Sequence, residues 1–264
     1  MRLVREESVV RIGEQLLIKL SRDPSTGDFP AGTLRYNESN ALDFLTKTVP
    51  NFREIIRGKR ILDYGCGWGW QAVLMVKSGA KEIVGLEILP ESRENARRKA
   101  AEHGFSDRIT IKEHLDETEY GTFDLVLSSS SFEHFSDPEG ELRNMARAVA
   151  PGGSVIISFA EPWFSPYGSH MNFFCRIPWM NLWWSEKTLM RVRSRYRTDG
   201  AQRFEEVDGG LNRMTLAKFN RIIRSCGMKI RWVRFYPTKG LPLVHRIPVI
   251  RELLVSAAAA ELTK

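Results

Sequence analysis

The stretch Arg60-Ile-Leu-Asp-Tyr-Gly-Cys-Gly-Trp-Gly69 organises the rest of the chain. Its first five residues form a short, mostly apolar run, which is typical of a buried parallel strand. Glycines then follow at every second position, and a glycine lets the backbone approach a ligand that a Cβ would exclude. The residues from Trp70 to Lys77 have a helical pattern, so the turn presents backbone N–H groups at a helix N-terminus. The sequence therefore predicts a nucleotide-type site.

The glycine spacing distinguishes between two kinds of nucleotide. A dinucleotide fingerprint would place its third glycine at position 70, where the chain has Trp70. The observed Asp-x-Gly-x-Gly-x-Gly pattern instead resembles the first motif of class I S-adenosylmethionine-dependent methyltransferases. An ordinary glycine-rich turn between a strand and a helix is the alternative. The resemblance implies that the amino-acid end of S-adenosylmethionine is bound by Asp63, Gly65, Cys66, Gly67 and Gly69.

A second strand is predicted from Lys81 to Glu87, and it ends on a carboxylate. In a nucleotide-binding βαβ unit the ribose-binding acid belongs at about this distance from the glycine turn. Glu87 is therefore predicted to accept hydrogen bonds from both ribose hydroxyls, and Ile88 beside it is included in the cofactor site. A helix-capping or surface carboxylate is the alternative for Glu87.

Short apolar runs alternate with helical stretches between Arg60 and Phe159, which predicts a parallel sheet with helices on both faces. Leu142 to Ser158 contains a helix, a Pro-Gly-Gly turn and a strand, and resembles the same element of small-molecule methyltransferases. The resemblance covers about residues 58–160. It implies an α/β fold with a Rossmann-like, seven-stranded, mostly parallel sheet.

Three more polar groups are predicted at the carboxyl ends of later strands, where ligands bind in open α/β sheets. In the resembling family, contacts to the adenine ring follow the third strand, and Asp116 is chosen for the exocyclic amine. A solvated turn carboxylate is the alternative. Ser128 and Ser129 leave the fourth strand beside the cofactor.

His134 follows the same strand and is the candidate general base. An acceptor hydroxyl or amine must lose a proton, and a histidine with an ordinary pKa near 6.5 suits that task. The alternative is a histidine that packs near the cofactor without acting as a base.

The segment from Glu161 to Gly210 interrupts the alternation and is crowded with aromatic residues. We predict a lid after the fifth strand that excludes water from the site, with Trp163, Tyr167 and His170 as substrate contacts. A small satellite core or a dimer contact is the alternative.

The chain is thus divided into an N-terminal cap (1–57), a cofactor-binding core (58–160), the insertion (161–214) and a C-terminal part that completes the sheet (215–264). Asn37 to Thr48 is predicted to be a capped helix. The alanine run from Leu253 to Leu262 has the propensity of a helix. The family topology implies a final antiparallel strand there, and the strand is predicted.

Composition limits the other possibilities. The 264 residues are 42% hydrophobic and 27% charged, as in globular proteins. Three widely spaced cysteines favour a reducing compartment and no metal site. No signal peptide or transmembrane segment is predicted, so a cytoplasmic location is expected.

Positive charge is concentrated in residues 161–264, which carry a net charge of +10. Arg191, Arg193, Arg195 and Arg197 alternate along the chain and would spread over two faces of a helix. They are predicted to form a solvated basic surface, with one of them able to face an acidic substrate.

The leading functional prediction is methyl transfer to an oxygen or nitrogen of a small-molecule acceptor, with a homodimer as a possible assembly. One alternative is an RNA methyltransferase that uses the basic C-terminal part, although no RNA-recognition motif accompanies it and no nucleic-acid partner is expected. The other is a non-catalytic cofactor-binding protein that assists another enzyme.

Overall fold

The computed structural model of the protein describes residues 12–22, 36–207, 209–238 and 247–264. Seven strands form one sheet in these ranges. They are β1 (Arg60–Tyr64), β2 (Glu82–Leu86), β3 (Ile109–Lys112), β4 (Phe123–Ser129), β5 (Val149–Ala160), β6 (Lys229–Pro237) and β7 (Val255–Thr263).

The strand order is β3-β2-β1-β4-β5-β7-β6. The first five strands pair in parallel, whereas β7 is antiparallel to both of its neighbours, β5 and β6. The predicted seven-stranded, mostly parallel sheet is therefore confirmed. The order reverses between β1 and β4, and the crevice outside their carboxyl ends is the place where open α/β sheets bind ligands.

Helices cover both faces of the sheet because apolar side chains of the central strands point alternately to either side. Leu62 and Val126 belong to one core cluster, whereas the adjacent Ile61 and Leu125 belong to the other. The helices are α1 (12–20), α2 (Asp43–Thr48), α3 (Phe52–Ile55), α4 (Trp70–Lys77), α5 (Pro90–Glu102), α6 (Pro138–Ala148), α7 (Met180–Trp183), α8 (Glu186–Arg193), α9 (Leu216–Ser225) and α10 (Pro248–Leu254). No helix in the described ranges is long and apolar enough to cross a bilayer.

The alanine run forms a strand, as the topology implied and against its helical propensity. Ala257 to Ala260 pair with β5 on one side and with β6 on the other, and all four are buried. Glu261 accepts hydrogen bonds from Arg231 and Trp232 of β6, at 2.9 and 2.6 Å. Pairing on both sides and burial therefore outweigh the local preference.

The predicted helix from Asn37 to Thr48 is too long, because α2 begins only at Asp43. The Asn37 side chain accepts a hydrogen bond from the backbone of Ser39 at 2.8 Å, and Asn40 accepts one from the backbone of Asn37. These local bonds hold residues 37–40 in a turn, since asparagine side chains compete with the helix for backbone donors.

The insertion and α1 share a satellite core that is separate from the two core clusters of the sheet. Leu17 of α1, Met180, Leu189 and Phe204 are among the residues of this satellite cluster. It corresponds to the satellite core that was weighed against a lid. Closure of the insertion over a substrate stays a prediction.

The basic run is not uniformly solvated. Arg191 and Arg195 are exposed, but the Arg193 side chain is only 6% exposed and forms a bidentate ion pair with Asp199. The prediction of a solvated surface is therefore wrong for Arg193, whose charge is used to tie the end of α8 to the following loop.

We expect Ala259→Leu to lower the free energy of unfolding by about 1–3 kcal/mol, because a larger side chain is forced into a fully buried strand position. Urea denaturation followed by circular dichroism measures the change. Thr263→Val, near the half-exposed end of the same strand, is the control and should change stability little. A neutral Ala259→Leu substitution would fit an exposed helix and would contradict the strand.

Candidate cofactor and acceptor site

The glycine loop is tied to the end of β2 and leaves one open face. The backbone N–H groups of Gly65 and Cys66 both donate to the Leu86 carbonyl, at 2.9 and 2.8 Å. Gly67 has φ +53°, and a Cβ built there would meet no atom within 4 Å. A Cβ on Gly69 would lie 2.8 Å from the Cβ of Ala96 in α5. Gly69 is therefore required for packing, whereas Gly67 leaves space for a ligand.

The two tryptophans of the loop region, Trp68 and Trp70, both lie near Lys99 of α5. The Lys99 ammonium of α5 lies 5.4 Å from the ring centroid of Trp68 and 4.8 Å from that of Trp70. Both rings therefore pack against α5.

Asp63 at the end of β1 is fully buried, and neither of its carboxylate oxygens has a hydrogen-bond partner in the described part of the chain. Burial raises the pKa of Asp63 to about 7, and the nearby Glu87 carboxylate adds to this rise. A buried polar group without a partner is costly. A cationic or N–H-bearing ligand group would supply the partner that the fold leaves out.

Glu87 holds the glycine loop and keeps acceptor capacity. Its two carboxylate oxygens accept from the backbone N–H groups of Gly67 at 3.0 Å and Leu89 at 2.9 Å. A carboxylate offers about four acceptor positions, so two remain for a pair of hydroxyls. The capping role weighed for Glu87 and the ribose role are thus compatible. Ile88 beside it is 68% exposed.

The serines at the carboxyl end of β4 and just after it connect this strand to the loop. Ser129 accepts from the Gln71 side chain at 3.1 Å, and the Ser128 hydroxyl is fully buried without a hydrogen-bond partner among the described residues. Ser131, which sequence reasoning did not single out, donates to the Gly65 carbonyl at 2.9 Å. The sequence shows a run of four serines, but it does not indicate which hydroxyl faces the glycine loop.

Asp116 has the environment of a solvated turn carboxylate. Its side chain is 72% exposed and accepts from Lys112 at 2.6 Å, and this hydrogen bond holds the pKa of Asp116 below its usual range. A contact between Asp116 and an adenine ring stays a prediction.

His134 lies in a short 3₁₀ turn (Phe132–His134) that directly follows β4, and it is half-buried. Its Nδ1 lies 2.6 Å from the Gly210 carbonyl. Because a carbonyl can only accept, Nδ1 carries the proton and the lone pair of the neutral ring is on Nε2. The structure thus assigns the tautomer that a general base acting through Nε2 needs.

The insertion brings a second histidine to this position. The rings of His134 and His170 meet edge to face with centroids 5.6 Å apart, and Glu161 lies 3.9 Å from His170 Nε2. Trp163 packs on Phe204 at 4.9 Å in the satellite cluster, and Tyr167 is 38% exposed. Of the three predicted substrate contacts, only His170 is shown beside His134.

Glu133 is a functional candidate that sequence reasoning missed. It is 3% exposed, one of its oxygens has no partner within the described residues, and burial raises its pKa. The sequence around Glu133 has no pattern that would indicate that this single carboxylate is buried. Groups of three side chains suited to a metal ion do not occur in the described ranges.

Residues 34–227 match a family described as a methyltransferase domain, and this match spans more than half of the chain. The chain belongs to this methyltransferase family. The resemblance to class I S-adenosylmethionine-dependent methyltransferases is thereby confirmed, and the strand order of the sheet agrees with it.

Sequence relatives agree with the same assignment over part of their length. The ubiquinone biosynthesis O-methyltransferase of Neisseria meningitidis is 38% identical over 106 residues, which are 39% of this chain and 44% of the relative. The enzyme of that name from Vibrio parahaemolyticus is 40% identical over 104 residues, 38% of this chain and 43% of the relative. The chain thus spans less than half the length of these relatives.

The fold is similar to that of an S-adenosylmethionine-dependent methyltransferase from Mesorhizobium loti. The TM-score is 0.51 at 19% identity, over 79% of this chain and 92% of that structure. S-adenosylmethionine is the cofactor of the family. The residues of this chain fit it, because Asp63 has no partner among the described residues and Gly67 faces open space.

We expect Gly67→Ala and Gly69→Ala to separate ligand binding from folding. Gly67→Ala keeps a stable fold, at a cost of about 1 kcal/mol for its positive φ, but weakens binding of the product S-adenosylhomocysteine because the new methyl group lies in the open space. Gly69→Ala lowers the melting temperature strongly, because its Cβ meets α5. Thermal unfolding and calorimetric titration measure both effects. Equal binding by wild type and Gly67→Ala would contradict the assignment of the open face.

We expect the affinity for S-adenosylhomocysteine to rise with pH up to about 7. Folding raises the pKa of Asp63 from 3.8 to about 7, so the ligand-free protein loses stability as the pH rises through this window. A cationic amino group favours the ionised carboxylate, and the dissociation constant should fall by up to about tenfold per pH unit below 7.

Calorimetric titrations from pH 5.5 to 8 check this dependence. The isosteric control Asp63→Asn should bind more weakly and show a flat profile. A wild-type profile that is as flat as that of Asp63→Asn would sink the assignment.

Proposed function

We propose that the protein transfers the methyl group of S-adenosylmethionine to an oxygen of a small-molecule acceptor at the carboxyl ends of β1 and β4. The observation that carries the proposal is the fully buried Asp63 carboxylate without a partner, next to a glycine loop with an open face. Oxygen is favoured over nitrogen as the acceptor atom because the curated relatives are O-methyltransferases.

The cofactor would be held from two sides. Asp63 would accept from the amino group of its methionine part, and the two remaining acceptor positions of Glu87 would take the ribose hydroxyls. Gly67 connects the two, because its N–H binds Glu87. When bound, S-adenosylmethionine supplies a strongly electrophilic methyl group, so positioning of the acceptor provides most of the rate.

His134 would remove the proton of the acceptor. Its Nδ1–H bond to Gly210 fixes the ring and leaves the Nε2 lone pair available. The hydroxyl proton would pass to Nε2, which would make the acceptor oxygen a better nucleophile toward the methyl group that bound S-adenosylmethionine would supply. His170 packs on the same ring and would limit its rotation.

A homodimer and a cytoplasmic location stay predictions. The alternative of an RNA methyltransferase has no support from Arg193, because this side chain is buried in its pair with Asp199.

We expect His134→Ala to lose methyl transfer by about 10²–10⁴-fold, since that is the usual contribution of a general base, and to keep its affinity for S-adenosylhomocysteine. The assay follows the labelled methyl group from S-adenosylmethionine into a panel of phenols and catechols, and calorimetry measures product binding. Glu87→Ala is the matched variant and should lose binding. Turnover by His134→Ala within a few-fold of wild type would remove the base assignment alone. Absence of product binding by wild type would remove the proposed function.

A further inference from the structure

The insertion and its neighbours expose an unusual share of apolar side chains. Among the described residues, eleven large hydrophobic side chains are exposed, and eight of them lie on or next to the helices α1, α7 and α10. Such clustering marks an interaction surface, whereas single exposed apolar residues are ordinary.

In α1 the exposed residues are Ile12, Leu16 and Leu20, which are 67%, 50% and 43% exposed. Their spacing of four places them on one stripe of the helix. Leu17, on a neighbouring side of α1, is fully buried in the satellite cluster. The helix thus has one apolar side in a core and a second apolar stripe that faces outward.

In α7, Trp183 is 71% exposed and Leu182 is 48% exposed, and in α10 the exposed residues are Ile250 and Leu253. The Trp179 indole N–H donates to the Leu253 carbonyl at 3.3 Å, which joins the start of α7 to α10. These residues, with the stripe of α1, are called the apolar face below.

The helix α1 adjoins α7 and α8 as well. A Cβ on Gly13 would lie 3.5 Å from the Trp184 ring, and Glu14 lies 3.9 Å from Arg191 of α8. The three parts of the apolar face are therefore neighbours.

Basic residues accompany the apolar face. Residues 12–22, 176–199 and 247–254 contain nine lysines and arginines against four acidic residues. All four acids already have partners. Glu14 pairs with Arg191, Glu186 with Arg213, Asp199 with Arg193, and Glu252 accepts from the first N–H groups of α9. Lys19, Arg22, Lys187 and Arg195 are exposed.

This combination favours an anionic lipid surface over a second copy of the chain. Two copies that met through this face would bring like charges together, whereas each lysine or arginine near an anionic bilayer contributes attraction. An exposed tryptophan with aliphatic neighbours and flanking basic residues suits the boundary between headgroups and acyl chains.

The position of the face relates it to the candidate site. Helix α10 leads directly into β7, whose Ala257 pairs with Ala160 at the carboxyl end of β5. Helix α7 belongs to the insertion that follows the same end of β5. The face therefore lies on the side of the sheet at which His134 leaves β4.

We infer that the apolar face docks the protein on the surface of an anionic lipid bilayer. A consequence, which rests on the proposed function, is that an amphiphilic acceptor reaches His134 from the membrane.

The test uses the protein without cofactor and co-sedimentation with two kinds of vesicle, phosphatidylcholine alone or mixed equally with phosphatidylglycerol. Wild type binds the mixed vesicles at low salt and is released at high salt. Trp183→Ser lowers the partition coefficient about tenfold, as the loss of one buried aromatic side chain implies. Trp183→Phe keeps most of the binding.

Two substitutions that each remove one positive charge supply the matched control. Lys187→Gln lowers binding to the mixed vesicles about fivefold. Arg98→Gln, which removes a charge from α5 outside the apolar face, leaves binding unchanged. Both residues are exposed, so neither substitution disturbs a core.

Three results would overturn the inference. Wild type could remain in the supernatant with mixed vesicles at low salt, or Trp183→Ser could sediment like wild type. Alternatively, sedimentation equilibrium could reveal a dimer that Trp183→Ser disrupts, with no vesicle binding, and a second copy would then be the occupant. Titration with S-adenosylhomocysteine is a separate measurement, so a failure of docking is distinguishable from a failure of the proposed function.

Discussion

The Asp63 carboxylate is buried at the end of β1 without a partner, and the arrangement of the site depends on this one charge. The fold places it beneath a loop that is held by the end of β2 and by Glu87. Burial raises the cost of ionising Asp63, the nearby Glu87 carboxylate adds to it, and the pKa of about 7 reflects that cost. A ligand with a positive group stabilises the ionised carboxylate and so offsets this cost.

The same edge of the sheet assembles the acceptor side. His134 is oriented by a carbonyl of the insertion, and His170 of the insertion packs on its ring. The insertion therefore determines which imidazole nitrogen of His134 carries the proton. Its satellite core also supports the helices of the apolar face, so the binding of a surface and the orientation of the base share one structural element.

Much of the fold could be predicted because its signals are local. The spacing of the glycines follows from backbone geometry, and the alternation of apolar runs follows from the two-sided sheet. The alanine run shows the limit of such signals. Its propensity favours a helix, and only pairing with β5 and β6 makes it a strand, as the family topology implied.

The site was less predictable because it depends on contacts between distant residues. Glu87 and Gly67 could be related through the known spacing of a βαβ unit, whereas the bond from His134 to Gly210 joins segments 76 residues apart. Asp116 pairs with Lys112 four residues earlier, and Arg193 pairs with Asp199. Neither pairing has a sequence pattern that separates it from a solvated charge. The burial of Glu133 was invisible for the same reason.

The central claim is that Asp63 is the acceptor for the amino group of the cofactor. A crystal structure of the protein with S-adenosylhomocysteine tests it most directly. The account predicts the amino group within hydrogen-bond distance of the Asp63 carboxylate, the ribose hydroxyls on Glu87, and the ligand backbone against the open face of Gly67. A ligand bound elsewhere, with Asp63 still unpaired, would contradict it.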